Sequence, residues 1–262
     1  MPKENKNGKK PRWVHPMSQI PEPWILLNYY FSSFKGKLLK GLIHNVNSPI
    51  QNISFLIEFA LQDLKTIKTS DKLLEYCTAR FSTLKKQLVK LTEVLRPIEL
   101  FERLVYEDRP LTALELSETV RELLLYDLYC KHHVKVNLDV ASKASLLFPN
   151  SGTLIPVVCQ LLDNALTALK TIKADKLTIH ITETEIHIID NGCGFDISNA
   201  AQLFEPWISN WPLELLPEEE QSHLGLGLYW TKKIMEAYNG SVAISRNQDT
   251  TISTIYLPRS EK

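Results

Sequence analysis

Apolar residues in the first part of the chain recur in steps of four and three: Leu39, Ile43, Val46, Ile50, Ile53, Ile57, Ala60 and Leu64. A second run keeps the same period through Leu74, Cys77, Phe81, Leu84, Leu88, Leu91, Leu95 and Ile98. Such heptad spacing keeps one apolar stripe on one side of a helix over many turns. Between the runs stands the polar stretch "KTSD" (68–71), with Ser70 or Asp71 suited to cap a new helix. The pattern predicts an antiparallel helical hairpin over residues 35–105. One hairpin covers only part of two such stripes, whereas two hairpins joined as a four-helix bundle cover the rest, so a homodimer is predicted. Pro97 is expected to kink or end the second helix near Arg96. Pro49 is expected to free the carbonyl of Asn45 and loosen the turn that carries His44. His44 itself falls one position past Ile43, off the seam and toward solvent.

After "YEDRPL" (106–111) the period changes. "LSETVRELLLYDLYCKHH" (116–133) reads as an amphipathic helix with Ser117 as a candidate cap, and "VKVNLDV" (134–140) alternates as a strand does. "TLIPVVCQLLDNALTALKTI" (153–172) is a strongly apolar helix, and "KLTIHITETEIHIIDNG" (176–192) reads as two strands meeting near "TET". "GLYWTKKIMEAYNG" (227–240) is a helix closed by glycine, followed by the strands "SVAISRN" and "STIYLP". Interleaved helices and strands predict one mixed sheet with helices on a single face, over residues 106–262. Residues 1–34 are left as a basic tail and lead-in segment.

Composition changes this picture little. The 262 residues are 44% hydrophobic and 23% charged with zero formal net charge, the profile of a globular protein with no field drawing it to nucleic acid. No apolar run approaches the roughly 20 residues that span a bilayer, so no membrane span is predicted. Four scattered cysteines without a CxxC pair fit buried thiols in a reducing cytoplasm, and "CKHH" (130–133) lacks a plausible metal ligand set.

Four stretches of the second half carry chemistry. Asn164, inside an apolar helix, is either a hydrogen-bonded core amide or a Mg²⁺ ligand through its carbonyl oxygen. "DNGCGFD" (190–196) ends a strand with an acid and two glycines; Asp190 can accept hydrogen bonds from an exocyclic amine while Gly192 and Gly194 let backbone approach a ligand. Phe204 anchors a polar, proline-containing stretch (210–223) that reads as a mobile loop. "HLGLGLYW" (223–230) opens a helix through Gly225, Leu226 and Gly227, and N–H groups at a helix start are a ready phosphate site.

In this order the stretches resemble the nucleotide-binding boxes of the GHKL ATPases, most closely those of sensor histidine kinases. Asn164 matches the asparagine box, Asp190–Gly194 the first glycine box, Phe204 the phenylalanine box and Gly225–Gly227 the second. "HNVNSPI" upstream resembles the phosphoacceptor turn of the family's dimerisation and histidine-phosphotransfer domain. The resemblance, over roughly residues 35–260, implies a dimeric four-helix bundle followed by a GHKL (Bergerat) α/β sandwich. It implies that Mg²⁺ is held by Asn164, that ATP is recognised through Asp190 and the glycine backbone, and that His44 attacks the γ-phosphorus. It also implies a response-regulator receiver domain as partner, with a signal that arrives through a longer receptor or a separate sensor protein.

The sequence departs from the family at four places. Many members carry an acid directly after the phosphoacceptor histidine to raise the nucleophilicity of its ring; here Asn45 can fix the tautomer but supplies no charge. The fourth residue after the histidine, used by relatives to orient water for phosphatase activity, is Ser48. Gln160 stands where hydrolytic GHKL enzymes have a glutamate base, which argues against an ATP hydrolase. The 209–223 loop is rich in glutamate (Glu214, Glu218, Glu219, Glu220) and lacks a basic residue before His223, so Lys170, Lys232 and Lys233 are the nearest cations, expected mainly to solvate the surface. A histidine kinase is the reading that results. The alternatives it leaves are a nucleotide-binding pseudokinase scaffold and a response-regulator phosphatase.

Overall fold

The computed structural model describes residues 22–65, 70–106, 109–141, 146–148, 150–212, 214 and 225–258. The basic tail, Lys68 and Thr69 of the "KTSD" turn, and Glu218, Glu219, Glu220 and His223 lie outside the described residues.

Two long helices come first, α1 (Pro23–Leu64) and α2 (Ser70–Tyr106). The first therefore begins well before Lys35, and the segment assigned to a lead-in is helical from Pro23, which takes the N1 position where its missing N–H costs nothing. Neither proline ends its helix: α1 continues through Pro49 and α2 passes Pro97 to Tyr106. Pro49 is buried, in step with the half-buried Val46 and Ile53 on the inner face of the hairpin.

The heptad seam divides in two. Val46, Ile53 and Ala60 are half-buried, with Cys77, Leu84 and Leu91 opposite on α2. The other half stays exposed in two columns with a period of seven, Ile43, Ile50, Ile57 and Leu64 on α1 and Leu74, Phe81, Leu88 and Leu95 on α2. Phe81 is 68% and Leu74 72% exposed, large apolar surfaces that one hairpin leaves uncovered. Asp63 of α1 accepts from Tyr76 Oη (2.6 Å) and Arg80 (3.2 Å), fixing the register of the two helices.

The second half is a five-stranded mixed sheet of order β2-β4-β5-β7-β6, with strands Lys135–Val140 (β2), Lys176–Ile181 (β4), Glu185–Asp190 (β5), Ser241–Asn247 (β6) and Thr250–Tyr256 (β7). Only β2 and β4 run parallel. A two-stranded ribbon of β1 (Leu111–Thr112) and β3 (Leu146–Phe148) stands apart from it. The predicted helix 116–133 is two helices, α3 (Ala113–Leu124) and α4 (Leu128–His133). Thr112, not Ser117, caps α3: Thr112 and Glu115 form a reciprocal capping box, and Ser117 donates within the helix to the Leu114 carbonyl. Asp127 caps α4 by accepting from the Cys130 N–H at 2.9 Å.

The helix α5 (Ser151–Ile172), capped by Asn150, is the centre of the core. It is long and apolar enough to cross a bilayer by length and composition, but 83% of its apolar window is buried against the sheet and its neighbours. A 3-10 helix (Ile197–Phe204) and α6 (Gly227–Ala237) complete the layer, and α6 closes with Asn239 in the left-handed region ahead of Gly240. Core-facing Leu177, Ile179, Ile181, Ile186 and Ile188 are fully buried beneath these helices.

Candidate functional site

One face of α5, with residues at i, i+4 and i+8, brings the sequence-predicted boxes together. Gln160 lies against Gly227: a Cβ on that glycine would stand 2.7 Å from the Gln160 side chain. One turn on, Asn164 Oδ1 accepts from Gln160 Nε2 at 3.1 Å. A further turn on, Ala168 meets Gly192, whose Cβ would stand 2.5 Å from the Ala168 backbone, and the Cys193 N–H donates to the Ala168 carbonyl at 3.2 Å. Both glycine boxes thus close onto the helix that carries Asn164. Glycine is needed at Gly192 because the Ala168 backbone fills the gap, and at Gly227 because the Gln160 side chain does.

Asp190, at the end of β5, is 3% exposed and accepts from the Gly192 N–H through Oδ1 at 2.9 Å. Burial pushes its carboxyl up to about 6, against the lowering effects of the Gly192 N–H and of Arg246. In β7 the register sets Thr251 beside Asp190, and Thr251 and Ser253 alternate with Ile252 toward the helices. Thr251 Oγ1 is buried with no hydrogen-bond partner among the described residues. An acidic oxygen, a lone hydroxyl and a strand of small polar residues make this part of the core polar where an all-hydrophobic layer would pack better.

Arg246 of β6 closes the first glycine loop from the other side. Its Nη1 donates to the carbonyls of Cys193 (3.3 Å) and Phe195 (3.0 Å), and its guanidinium packs on Gly194, which has φ +64°. The sequence reading missed this arginine; its signal was a long basic side chain on an otherwise small-residue strand.

Phe204 ends the 3-10 helix, half-buried, with Lys232 Nζ 5.7 Å from its ring centroid. The chain after it doubles back so that the Ile208 backbone would meet a Cβ on Gly225 at 2.5 Å; Gly225 also has φ +68°. Leu226 is buried and precedes α6, with its carbonyl taking the Trp230 N–H at 3.1 Å. Lys170 pairs with Asp127 at 2.6 Å and Lys233 with Glu236 at 3.0 Å.

His44 and Ser48 lie on α1, both exposed and one turn apart. Asn45 is turned to the second half of the molecule: its Nδ2 donates to the Leu125 carbonyl at 3.3 Å and its Oδ1 accepts from Lys131 Nζ at 2.8 Å. "CKHH" is α4 itself: Cys130 is buried, its thiol pushed up to about 12 by desolvation, and Lys131 is the residue that reaches Asn45. The hairpin also meets the helix layer through Lys37 Nζ, 2.8 Å from both oxygens of Asp163, and through Tyr30, whose ring is tilted against Trp230 with centroids 5.3 Å apart.

Residues 150–261 match the family described as histidine kinase-, DNA gyrase B-, and HSP90-like ATPase. The signal transduction histidine-protein kinase AtoS of Escherichia coli K12 is 22% identical over 214 residues, 80% of this chain and 32% of that protein, so the chain spans about a third of the relative's length. Among solved structures, the Acinetobacter baumannii histidine kinase AdeS aligns over 83% of this chain and 98% of its own at 17% identity, with a TM-score of 0.43. The catalytic domain of histidine kinase ThkA aligns over 58% of this chain and 95% of its own at 16% identity, with a TM-score of 0.47.

Proposed function

We infer that the chain, whose residues 150–261 match the histidine kinase-, DNA gyrase B- and HSP90-like ATPase family, is a histidine kinase that uses ATP to phosphorylate His44. The observation that carries the reading is the Gln160–Asn164–Ala168 face of α5, which gathers both glycine boxes beside Asp190. The exposed imidazole of His44, on a helix that docks against the same domain, supplies the acceptor.

The residues present fit Mg²⁺-ATP. Asp190 spends one oxygen on the Gly192 N–H and keeps the other for an exocyclic amine. The unpartnered Thr251 hydroxyl is placed to complete that polar end. Asn164, half-buried and already oriented by Gln160, would hold Mg²⁺ through its amide oxygen, and the backbone at Gly225–Gly227 would face the phosphates at the start of α6. Bound Mg²⁺ neutralises phosphate charge. Phosphoryl transfer otherwise asks for positioning, which is what the oriented amides and the Arg246-held loop provide. A ring nitrogen of His44 would attack the γ-phosphorus of ATP as ADP leaves, and the phosphoryl group would then pass from the ring to an aspartate of a receiver domain. The exposed columns of α1 and α2, each repeating every seven positions, supply the second interface of a homodimeric four-helix bundle.

Asn45 lacks the charge that would stabilise an imidazolium, and general-base help is worth about 10²–10⁴-fold, so slow phosphorylation is expected. The test is incubation with labelled Mg²⁺-ATP: acid-labile, alkali-stable label that vanishes in His44→Gln supports the kinase. Nucleotide binding without label in either protein overturns it in favour of a pseudokinase scaffold.

A further inference from the structure

The five-stranded sheet has a face turned away from the helices. Ile179, Ile181, Ile186 and Ile188 are fully buried against the helix layer, so the residues alternating with them stand on the opposite side. There the register sets four side chains in one row across adjacent strands. Asp139 of β2 lies beside His180 of β4, His180 is directly opposite His187 of β5, and His187 is beside Thr254 of β7. Glu185, two positions before His187 on β5, stands on the same face.

Contacts run along the whole row. His180 Nδ1 donates to Asp139 Oδ2 at 2.8 Å. The two imidazole rings lie nearly parallel, 17° apart in plane, with centroids 6.1 Å apart. His187 is held at both nitrogens, with Thr254 Oγ1 3.1 Å from Nδ1 and Glu185 Oε2 2.9 Å from Nε2. Two imidazolium ions directly opposed across strands would repel, whereas two neutral rings offer a lone pair each. Asp139 takes the Nδ1 proton of His180 and leaves Nε2 as the nitrogen with the lone pair. Thr254 can take the Nδ1 proton of His187 in the same way, which sets the Nε2 lone pair beside the Glu185 carboxylate. Imidazoles that bind metal keep their far ring N–H on an acceptor of this kind.

We propose that His180 Nε2, His187 Nε2 and a Glu185 oxygen form a site for a divalent transition-metal ion such as Zn²⁺, with Asp139 and Thr254 orienting the rings and water completing the tetrahedron. Zinc bonds of about 2.0–2.2 Å set neighbouring ligands roughly 3.3 Å apart, so His187 Nε2 and Glu185 Oε2 need only open slightly from 2.9 Å. Opposed Cβ atoms about 4.5–5.5 Å apart let both rings reach one ion. Among the described residues no three such donors are yet gathered around one point, so the rings tilt toward each other as the ion enters. Imidazole nitrogens favour zinc, nickel or copper over magnesium. The row also lies across the sheet from α5, so its ion is distinct from the Mg²⁺ proposed at Asn164, and the site stands whether or not His44 is phosphorylated.

The test is calorimetric titration of Zn²⁺ into the nucleotide-free protein, with imidazole nitrogen NMR of the unaltered chain as a readout that needs no variant. His132 and His133, adjacent on α4, are competing donors, so the double change His132→Gln, His133→Gln is the control. A single Zn²⁺ per chain is expected, shifting the Nε2 signals of His180 and His187. Asp139→Asn should weaken binding about 10–100-fold, the usual cost of losing a partner that holds a ligand in place. His180→Gln and His187→Gln should each weaken it further, while the control binds as the parent does. Binding that survives both His180→Gln and His187→Gln, nitrogen signals that move only at other histidines, or no binding at millimolar Zn²⁺ each overturns the site.

Discussion

Gln160 holds Asn164 from one turn away, its amide donating to the oxygen that the proposed metal would need. The same side chain fills the space where a Cβ on Gly227 would be. Replacing it with leucine keeps the bulk and removes the donor. The expected result of Gln160→Leu is a roughly fivefold loss of Mg²⁺-ATP affinity by calorimetry, matching about 1 kcal/mol for one hydrogen bond, with little change in binding of adenosine alone.

Asp190 gives a pH signature. Its folded carboxyl lies at about 6 against an ordinary 3.8, because burial disfavours the charge. A raised value means that Asp190 costs stability as pH rises: nothing below 3.8, an increasing penalty up to about 6, and a constant one above, roughly 3 kcal/mol at most. Asp190→Asn should therefore raise the melting temperature at pH 7.5 and leave it nearly unchanged at pH 4. Adenosine affinity of the parent should fall as pH drops through about 6, and this step should be absent in Asp190→Asn.

Arg246 is expected to act on the same signature through the loop it holds. Without the guanidinium, two carbonyls lose their donor and Asp190 loses a favourable charge. Arg246→Gln should weaken adenosine binding and move its acid midpoint upward. Arg246→Lys should restore part of the charge effect but not the loop, since an ammonium cannot reproduce the fork.

The exposed columns predict the assembly. Phe81→Asp or Ile50→Asp places a charge on surface that a second hairpin would bury. Either change should convert a dimer to a monomer by light scattering at micromolar concentration, with nucleotide affinity per chain unaltered. A parent protein that is monomeric at that concentration contradicts the bundle.

Much of this architecture was legible in the pattern of apolar positions. The period of seven gave both helices, because coiled-coil spacing is a long-range regularity. The apolar run around Asn164 gave α5, and the glycine spacings marked where backbone closes on it. What stayed hidden depended on distance rather than period. Arg246 is 52 positions past Gly194, and no local pattern ties them. The split of the seam into half-buried Val46–Ile53–Ala60 and exposed Ile43–Ile50–Ile57 follows from which face α2 takes. Pro49 and Pro97 looked like breaks because a proline removes one hydrogen bond, yet helices this long keep enough of the others to run through. The Gly41 contact could not be foreseen at all, since its partner, Tyr126, lies in a segment read as continuous helix.

Tyr126 is gripped by both helices of the hairpin: its backbone rests on Gly41 of α1, and its hydroxyl donates to the Val94 carbonyl of α2. A slide of α1 along α2 by the 1–2 Å common in helix shifts pulls these anchor points apart along the axis. One residue cannot follow both, so the displacement becomes torque on the segment from Leu125 to Lys131. Any axial displacement between the two helices therefore bears directly on the segment from Leu125 to Lys131.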